Sequence, residues 1–275
     1  MRNKLKLKTI FMMSFGVIVL VFLSSLYEKT GFTSIFEGSA NDSINQNIQN
    51  RQLNNVNFKE VNIQAPIIDI SGWQLPQEMD YDQISNQIVG AIIRVQHGGG
   101  SVKNNAASTS SGEDKSYKKH IEEFQSRNVP VAVYAYANGR SEKEMRKEAR
   151  DFYDRAKDYT PTYWWVDVEE ETMNDMNAGV EAFRDELESL GVENIGIYTQ
   201  DWFLSAFQIN VDKFNAIWFA HYGGDTGFLD SRPETDKHYE LHQYTSQGKL
   251  NGYPNQLDFN IATSREDYEK IFTYK

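Results

Sequence analysis

From residue 66 onward, short apolar runs recur between longer stretches of mixed polarity. They are Pro66-Ile70, Ala91-Val95, Val131-Tyr136, Tyr163-Val168, Ile195-Tyr198, Ala216-Ala220 and Leu241-Thr245, with a weaker eighth at Leu257-Phe259. Each has the length of a strand and is rich in β-branched or aromatic residues. Between several of them the apolar residues fall on one helical face. Tyr117, Ile121 and Phe124 do so, as do Met145, Ala149, Phe152 and Ala156, and Met176, Val180, Phe183, Leu187 and Leu190. Gly191 stands where the third of these helices should stop. Strands that alternate with helices predict a parallel sheet. Eight strands over about 215 residues predict an α/β fold, an irregular (β/α)8-like barrel of the TIM type and somewhat small for it. An open doubly wound sheet is the alternative. No Gly-x-Gly-x-x-Gly opens a helix, which leaves a dinucleotide-binding fold without support. Gly98 to Gly112 reads as a long polar loop after the second strand.

The chain before this body has a different pattern. Thr9 to Leu26 is an uncharged, mostly apolar run of 18 residues, near the lower limit for spanning a bilayer. Arg2, Lys4, Lys6 and Lys8 precede it, which predicts a cytoplasmic N-terminus and a translocated body. A cleaved signal peptide is the competing reading, but its apolar core would be about 7–15 residues with a small-x-small site close behind. Gly38-Ser39-Ala40 has that pattern and lies well past Leu26. The expected organisation is therefore a basic flank and transmembrane anchor over residues 1–27, a polar stalk over 28–59 and a barrel over 60–275. The body would be extracellular, on a single-pass membrane protein; secretion after signal cleavage is the alternative.

Charge and composition narrow the partners. The net charge is −11, and the first eight residues carry +4, so the rest of the chain carries −15. An acidic body argues against nucleic acid, which needs a basic stripe. It also argues against broad electrostatic adhesion to an anionic surface. With no cysteine, disulfides and thiolate metal sites are excluded. His238 and His242 are four apart, but no Glu stands beside His238 and Tyr239-Glu240-Leu241 reads as strand, so no metal site is expected.

The candidate chemistry lies at strand ends, where a barrel of this kind gathers its reactive groups. In Tyr163-Trp164-Trp165-Val166-Asp167-Val168-Glu169, alternation turns Val166 and Val168 toward the helices and Trp165, Asp167 and Glu169 toward the axis or its mouth. Two carboxylates so placed have Cα atoms about 6.7 Å apart. Crowding of like charge keeps one of them protonated, and glycoside cleavage needs such an acid beside a negative group. Asp69 ends the first strand and Asp258 lies in the last. In a closed barrel these two strands are neighbours, and the two acids meet. An isolated Asp at a strand end commonly caps a turn; three such ends at one mouth point to a site. Tyr136, Trp218 and Tyr222 are candidates for lining a sugar cleft, with Tyr134 and Gln243 as further candidate substrate contacts; Trp165 and Tyr244 read as packing.

In order and spacing these segments resemble glycoside hydrolase family 25, the muramidase-type lysozymes. The resemblance runs from Ile67 to Ala262. It rests on Asp69-Ile70-Ser71-Gly72-Trp73-Gln74, Tyr134-Ala135-Tyr136, Asp167-Val168-Glu169, Ile197-Tyr198-Thr199, Trp218-Phe219-Ala220-His221-Tyr222, Gln243-Tyr244-Thr245 and Leu257-Asp258-Phe259-Asn260. It implies hydrolysis of the β-1,4 bond between N-acetylmuramic acid and N-acetylglucosamine in peptidoglycan, without metal or cofactor. Glu169 would be the proton donor. Asp167 would stabilise positive charge or steer the substrate's own N-acetyl group as nucleophile, and Asp69 and Asp258 would hold the hydrogen-bond network. The chain departs from the family at Arg94-Val95-Gln96-His97-Gly98, where a Lys-x-(Ser/Thr)-Glu-Gly pattern is usual. That departure keeps open a second class of function, a weak or inactive peptidoglycan-binding module that positions a partner at the wall.

Overall fold

A computed structural model describes residues 61–98 and 104–274. The expected anchor at Thr9 to Leu26, the stalk and part of the polar loop after the second strand lie outside the described residues. Among the described residues no helix is long and apolar enough to cross a membrane.

Eight strands close into a barrel in chain order: β1 (Ile67–Ile70), β2 (Gly90–His97), β3 (Val131–Tyr136), β4 (Trp164–Asp167), β5 (Ile195–Thr199), β6 (Ala216–Ala220), β7 (Leu241–Gly248) and β8 (Leu257–Ala262). All eight coincide with the apolar runs. Among the described residues the α-helices are α1 (Tyr81–Ser85), α2 (Tyr117–Ser126), α3 (Glu142–Ala156), α4 (Met176–Ser189), α5 (Asp201–Phe207) and α6 (Arg265–Phe272). α2, α3 and α4 are the three helices read from the spacing of apolar residues. Gly191 follows α4 at φ +91°, the left-handed conformation a helix-ending glycine supplies.

The expectation of a wholly parallel sheet is corrected. β8 runs antiparallel to both β7 and β1. Only residues 249–256 separate β7 from β8, and a parallel return needs a crossover of a dozen or more residues. A hairpin is what that length allows. The segment Tyr239-Glu240, read as strand, precedes β7 and is not part of it.

Strand alternation divides the core in two. Outward residues such as Ile68, Ile93, Val133, Trp164, Val166, Ile197 and Phe219 pack against the helices, where Phe124, Phe152 and Phe183 meet them. Inward residues Ile67, Ile92, Ala132, Trp165, Tyr198, Ala216 and Trp218 fill the barrel, and Tyr268, Ile271 and Phe272 of α6 join them from below. Gly196 is required here: a Cβ on it would lie 2.3 Å from the Trp165 ring. The interior is thus aromatic at its floor. Toward the opposite end, where the parallel strands finish, the inward positions become polar.

Candidate active site

The polar end gathers acids from three strands. Along β4, Trp165 is buried in the interior, Asp167 is the next inward residue, and Glu169 stands two residues past the strand at the rim, half-buried. Asp69 of β1 is directly opposite Asp258 in the β1–β8 ladder. The two acids meet as the closed barrel requires, but by a different route from a parallel strand end. Asp258 lies at the start of β8, and because β8 is antiparallel its start shares the mouth with the end of β1.

Asp69 is the best-supported of the four. Its Oδ2 accepts from Gln243 Nε2 at 2.9 Å and from Asn260 Nδ2 at 2.7 Å. Each amide is oriented by a donor behind it. Gln243 Oε1 accepts from Tyr198 Oη at 2.7 Å and Tyr222 Oη at 2.6 Å. Asn260 Oδ1 accepts from Trp218 Nε1 at 2.7 Å. With both amide oxygens taken, the nitrogens are left to face the carboxylate. Burial nonetheless dominates and lifts Asp69 from 3.8 to about 6, with the hydrogen bonds from Asn260 and Gln243 opposing it.

Asp167 and Glu169 form a coupled pair. Burial, then the charges of Glu169 and Asp69, push Asp167 well above the usual carboxylate range. Burial, then Asp69, raise Glu169 from 4.5 to about 7, while hydrogen bonds from Asp167 and Gln200 oppose the rise. Both carboxyls are thus held above the ordinary carboxylate range, which favours a proton on the pair over two negative charges. Asp167 is 4% exposed, so the rim residue Glu169 is the one able to hand a proton outward. Asp167 Oδ1 is buried without a hydrogen-bond partner. Asp258 is also raised well above the usual range, by burial and then by Asp69 and Glu169.

The expected sugar contacts separate. Tyr136, half-buried at the end of β3, stacks on His97 of β2 at 4.5 Å and 21°, and burial followed by the charge of Asp167 raises its hydroxyl above the usual range. Tyr222 is half-buried and Tyr134 faces inward. Trp218 does not line a cleft. It is 1% exposed, because its inward position on β6 lies below the mouth, with Tyr134 edge-on at 6.2 Å and Trp165 at 5.6 Å. Gln243 is likewise buried and serves Asp69.

Several site residues were not anticipated as such. Tyr198 and Asn260 share inward parity with Tyr222's partner network and were legible by alternation alone. Arg94 faces inward from β2 and pairs with Asp114 at 3.0 Å, and Asp114 also accepts from the backbone of Gly72 at 2.7 Å and Ser116 at 2.8 Å. The polar loop is thereby folded back on the barrel, with bridges Gln96↔Glu113 and Ser108↔Asp114. Among the described residues, His238, Glu240 and Asp267 have the spacing of a cation site. Their lone pairs are already engaged: Lys270 Nζ and the Ile217 backbone bind Glu240 at 2.6 and 2.8 Å, and Thr263, Ser264 and His238 bind Asp267 at 2.6, 2.6 and 2.9 Å. The cluster lies at the start of β7, away from the mouth.

A closed α/β barrel whose mouth gathers four acids, with Glu169 raised to about 7, carries the groups that glycoside hydrolases use. The chain belongs to glycosyl hydrolases family 25, whose profile matches residues 68–253. A glycosyl hydrolase 25 of Streptococcus pneumoniae, a virulence factor participating in host cell invasion, is 50% identical, with a TM-score of 0.74 over 76% of this chain and 93% of that one. Two more distant structures share the fold. The catalytic domain of endolysin ply40 from Listeria monocytogenes bacteriophage P40 is 22% identical, with a TM-score of 0.66 over 76% of this chain and 98% of that one. A Streptomyces coelicolor bacterial lysozyme is 15% identical, with a TM-score of 0.58 over 77% and 98%. No curated protein matches the chain.

Proposed function

We propose that this glycoside hydrolase cuts peptidoglycan between N-acetylmuramic acid and N-acetylglucosamine, with Glu169 as the acid. The observation that carries the reading is the placement of Asp167 and Glu169 two residues apart at the mouth of the barrel, where burial and the charge of Asp69 raise Glu169 to about 7. Glu169 protonates the glycosidic oxygen as the bond to the anomeric carbon breaks. Asp167 Oδ1, buried and without a partner, accepts the N–H of the substrate's N-acetyl group. That bond favours the Asp167 anion and leaves the shared proton on Glu169. It also turns the acetyl oxygen toward the anomeric carbon as nucleophile, and water then releases the sugar. Asp69 and Asp258 keep the surrounding charge and hydrogen bonds in order.

The test is loss of turbidity of purified peptidoglycan with mass analysis of the new ends. Reducing N-acetylmuramic acid is expected. Reducing N-acetylglucosamine would assign the other bond, and binding without cleavage would favour the wall-binding reading. We further propose that Thr9 to Leu26 anchors the chain with the barrel outside the cell, on the strength of the 18-residue apolar run and its basic flank. The full chain is then expected in the membrane fraction with its body open to external protease. A mature form in the medium beginning near Asn41 would refute the anchor.

A further inference from the structure

Among the described residues, the large apolar side chains left open are Trp73, Trp202, Phe228 and Leu229. All lie on segments that follow strands β1, β5 and β6, on the face that carries the acids. Trp202 differs from the others in what holds it. Its side chain is 55% exposed, yet its Nε1–H donates to Oε1 of Gln200, and the Gln200 side chain lies close enough to Glu169 to oppose the rise of that carboxyl. With the Gln200 oxygen taken by the indole, the nitrogen is the atom left for Glu169. Phe203 meets the indole edge-on at 5.5 Å. The ring is therefore fixed one amide away from the acid, its polar atom satisfied within the protein and its apolar surface open. An exposed indole gains free energy when a flat apolar surface covers it. The C–H face of a pyranose ring is such a surface, and the reaction brings one to Glu169.

We propose that Trp202 is a stacking platform for a sugar next to the scissile bond, and that through Gln200 the same side chain holds Glu169 in place for proton transfer. Binding and acid positioning would then share one residue. The inference rests on Glu169 being the acid.

The test uses the full chain and soluble peptidoglycan glycan fragments, with kcat and KM measured across pH. Trp202→Phe keeps a ring and removes the N–H; Trp202→Ala removes both. In both variants Gln200 loses its orienting donor, the Glu169 anion loses its support, and the basic limb of kcat/KM is expected to move to higher pH. Only Trp202→Ala is expected to raise KM, by roughly tenfold. An exposed side chain can be changed without disturbing the core, and melting curves check that it has been. An unmoved KM in Trp202→Ala removes the platform, and an unmoved limb in Trp202→Phe removes the link to the acid; either overturns the proposal. If the unaltered protein fails to cleave the fragments, the hydrolase reading falls instead. Acrylamide quenching still decides the platform in that case, read as the difference between the unaltered protein and Trp202→Phe because Trp73 is also exposed: protection by fragments that is present in the first and lost in the second shows stacking on Trp202, and equal protection in both removes the platform.

Discussion

Replacing Glu169 with Gln separates what the acid does from what it costs the fold. Burial and the negative charge of Asp69 lift its carboxyl from 4.5 to about 7. Between those values the folded protein holds a proton that the unfolded chain has released, so stability falls as pH rises through the window. A lift from 4.5 to about 7, at about 1.4 kcal/mol for each pH unit, amounts to roughly 3 kcal/mol of destabilisation once the group is ionised. Gln keeps the shape and never ionises. The variant and the parent should therefore melt together near pH 4.5 and diverge as pH rises. At pH 8 the variant should melt higher by roughly 6–12 °C, at about 2–4 °C per kcal/mol for a domain of this size. Its lytic rate should fall by roughly 10²–10⁴ at every pH. Calorimetry from pH 4.5 to 8.5, with rates on the same samples, measures both. Melting curves with the same pH dependence in the two proteins would show that Glu169 titrates like an ordinary surface carboxylate. Near-full activity in the variant would show that another group supplies the proton; Glu170→Gln, at an exposed position bonded to Asn138 at 2.9 Å, is the matched control and should retain most activity.

Two other positions give separate checks. Asp225 sits in the left-handed region at φ +46° and ties the β6–β7 connection to β7, accepting from Thr245 Oγ1, Ser246 N and Ser246 Oγ at 2.8, 2.7 and 2.8 Å. Asp225→Ala should cost about 2–4 kcal/mol and expose residues 221–240 to protease. The deficit should shrink in acid, since hydrogen bonds hold this carboxyl below its ordinary range and its contribution disappears as pH falls through that lowered value. Asn260→Ala strips a donor from Asp69 and the acceptor from Trp218 Nε1; it should destabilise by about 2–3 kcal/mol and move the acidic limb of the rate profile upward, as Asp69 loses the hydrogen bond that most opposes its rise.

The parts of the site that alternation controls were readable before any coordinates. Trp165 and Asp167 share a face because side chains two apart on a strand must, Val166 and Val168 pack against helices, and Glu169, two residues past the strand, keeps to the side of Asp167. Asp69 and Asp258 pair because closing the barrel makes β1 and β8 neighbours. Depth along the axis was not readable. Parity puts Trp218 and Tyr136 on the same inward side, yet one closes the floor and the other reaches the rim, and that difference depends on the stagger between strands. The reversal of β8 follows from the 249–256 connection, which is too short for a parallel return. Gln200 and Trp202 lie beyond β5, where no period governs direction, so the contact with Glu169 required a folded chain.

Asp69, Asp167, Glu169 and Asp258 occupy one mouth, and Arg94, the cation that acts on Asp167, is already paired with Asp114. Burial, reinforced at Asp167, Glu169 and Asp258 by the other acids, raises all four carboxyls. That arrangement destabilises the resting protein above the ordinary carboxylate range. It favours any step that brings positive charge into the mouth. Glycoside cleavage develops such charge on the anomeric carbon as the leaving oxygen takes its proton. The repulsion among the acids then becomes attraction for the transition state, in a site whose hydrogen bonds are already oriented. The aromatic floor contributes by excluding water and keeping the effective dielectric low. Trp165, Trp218 and Tyr198 form that floor beneath the acids.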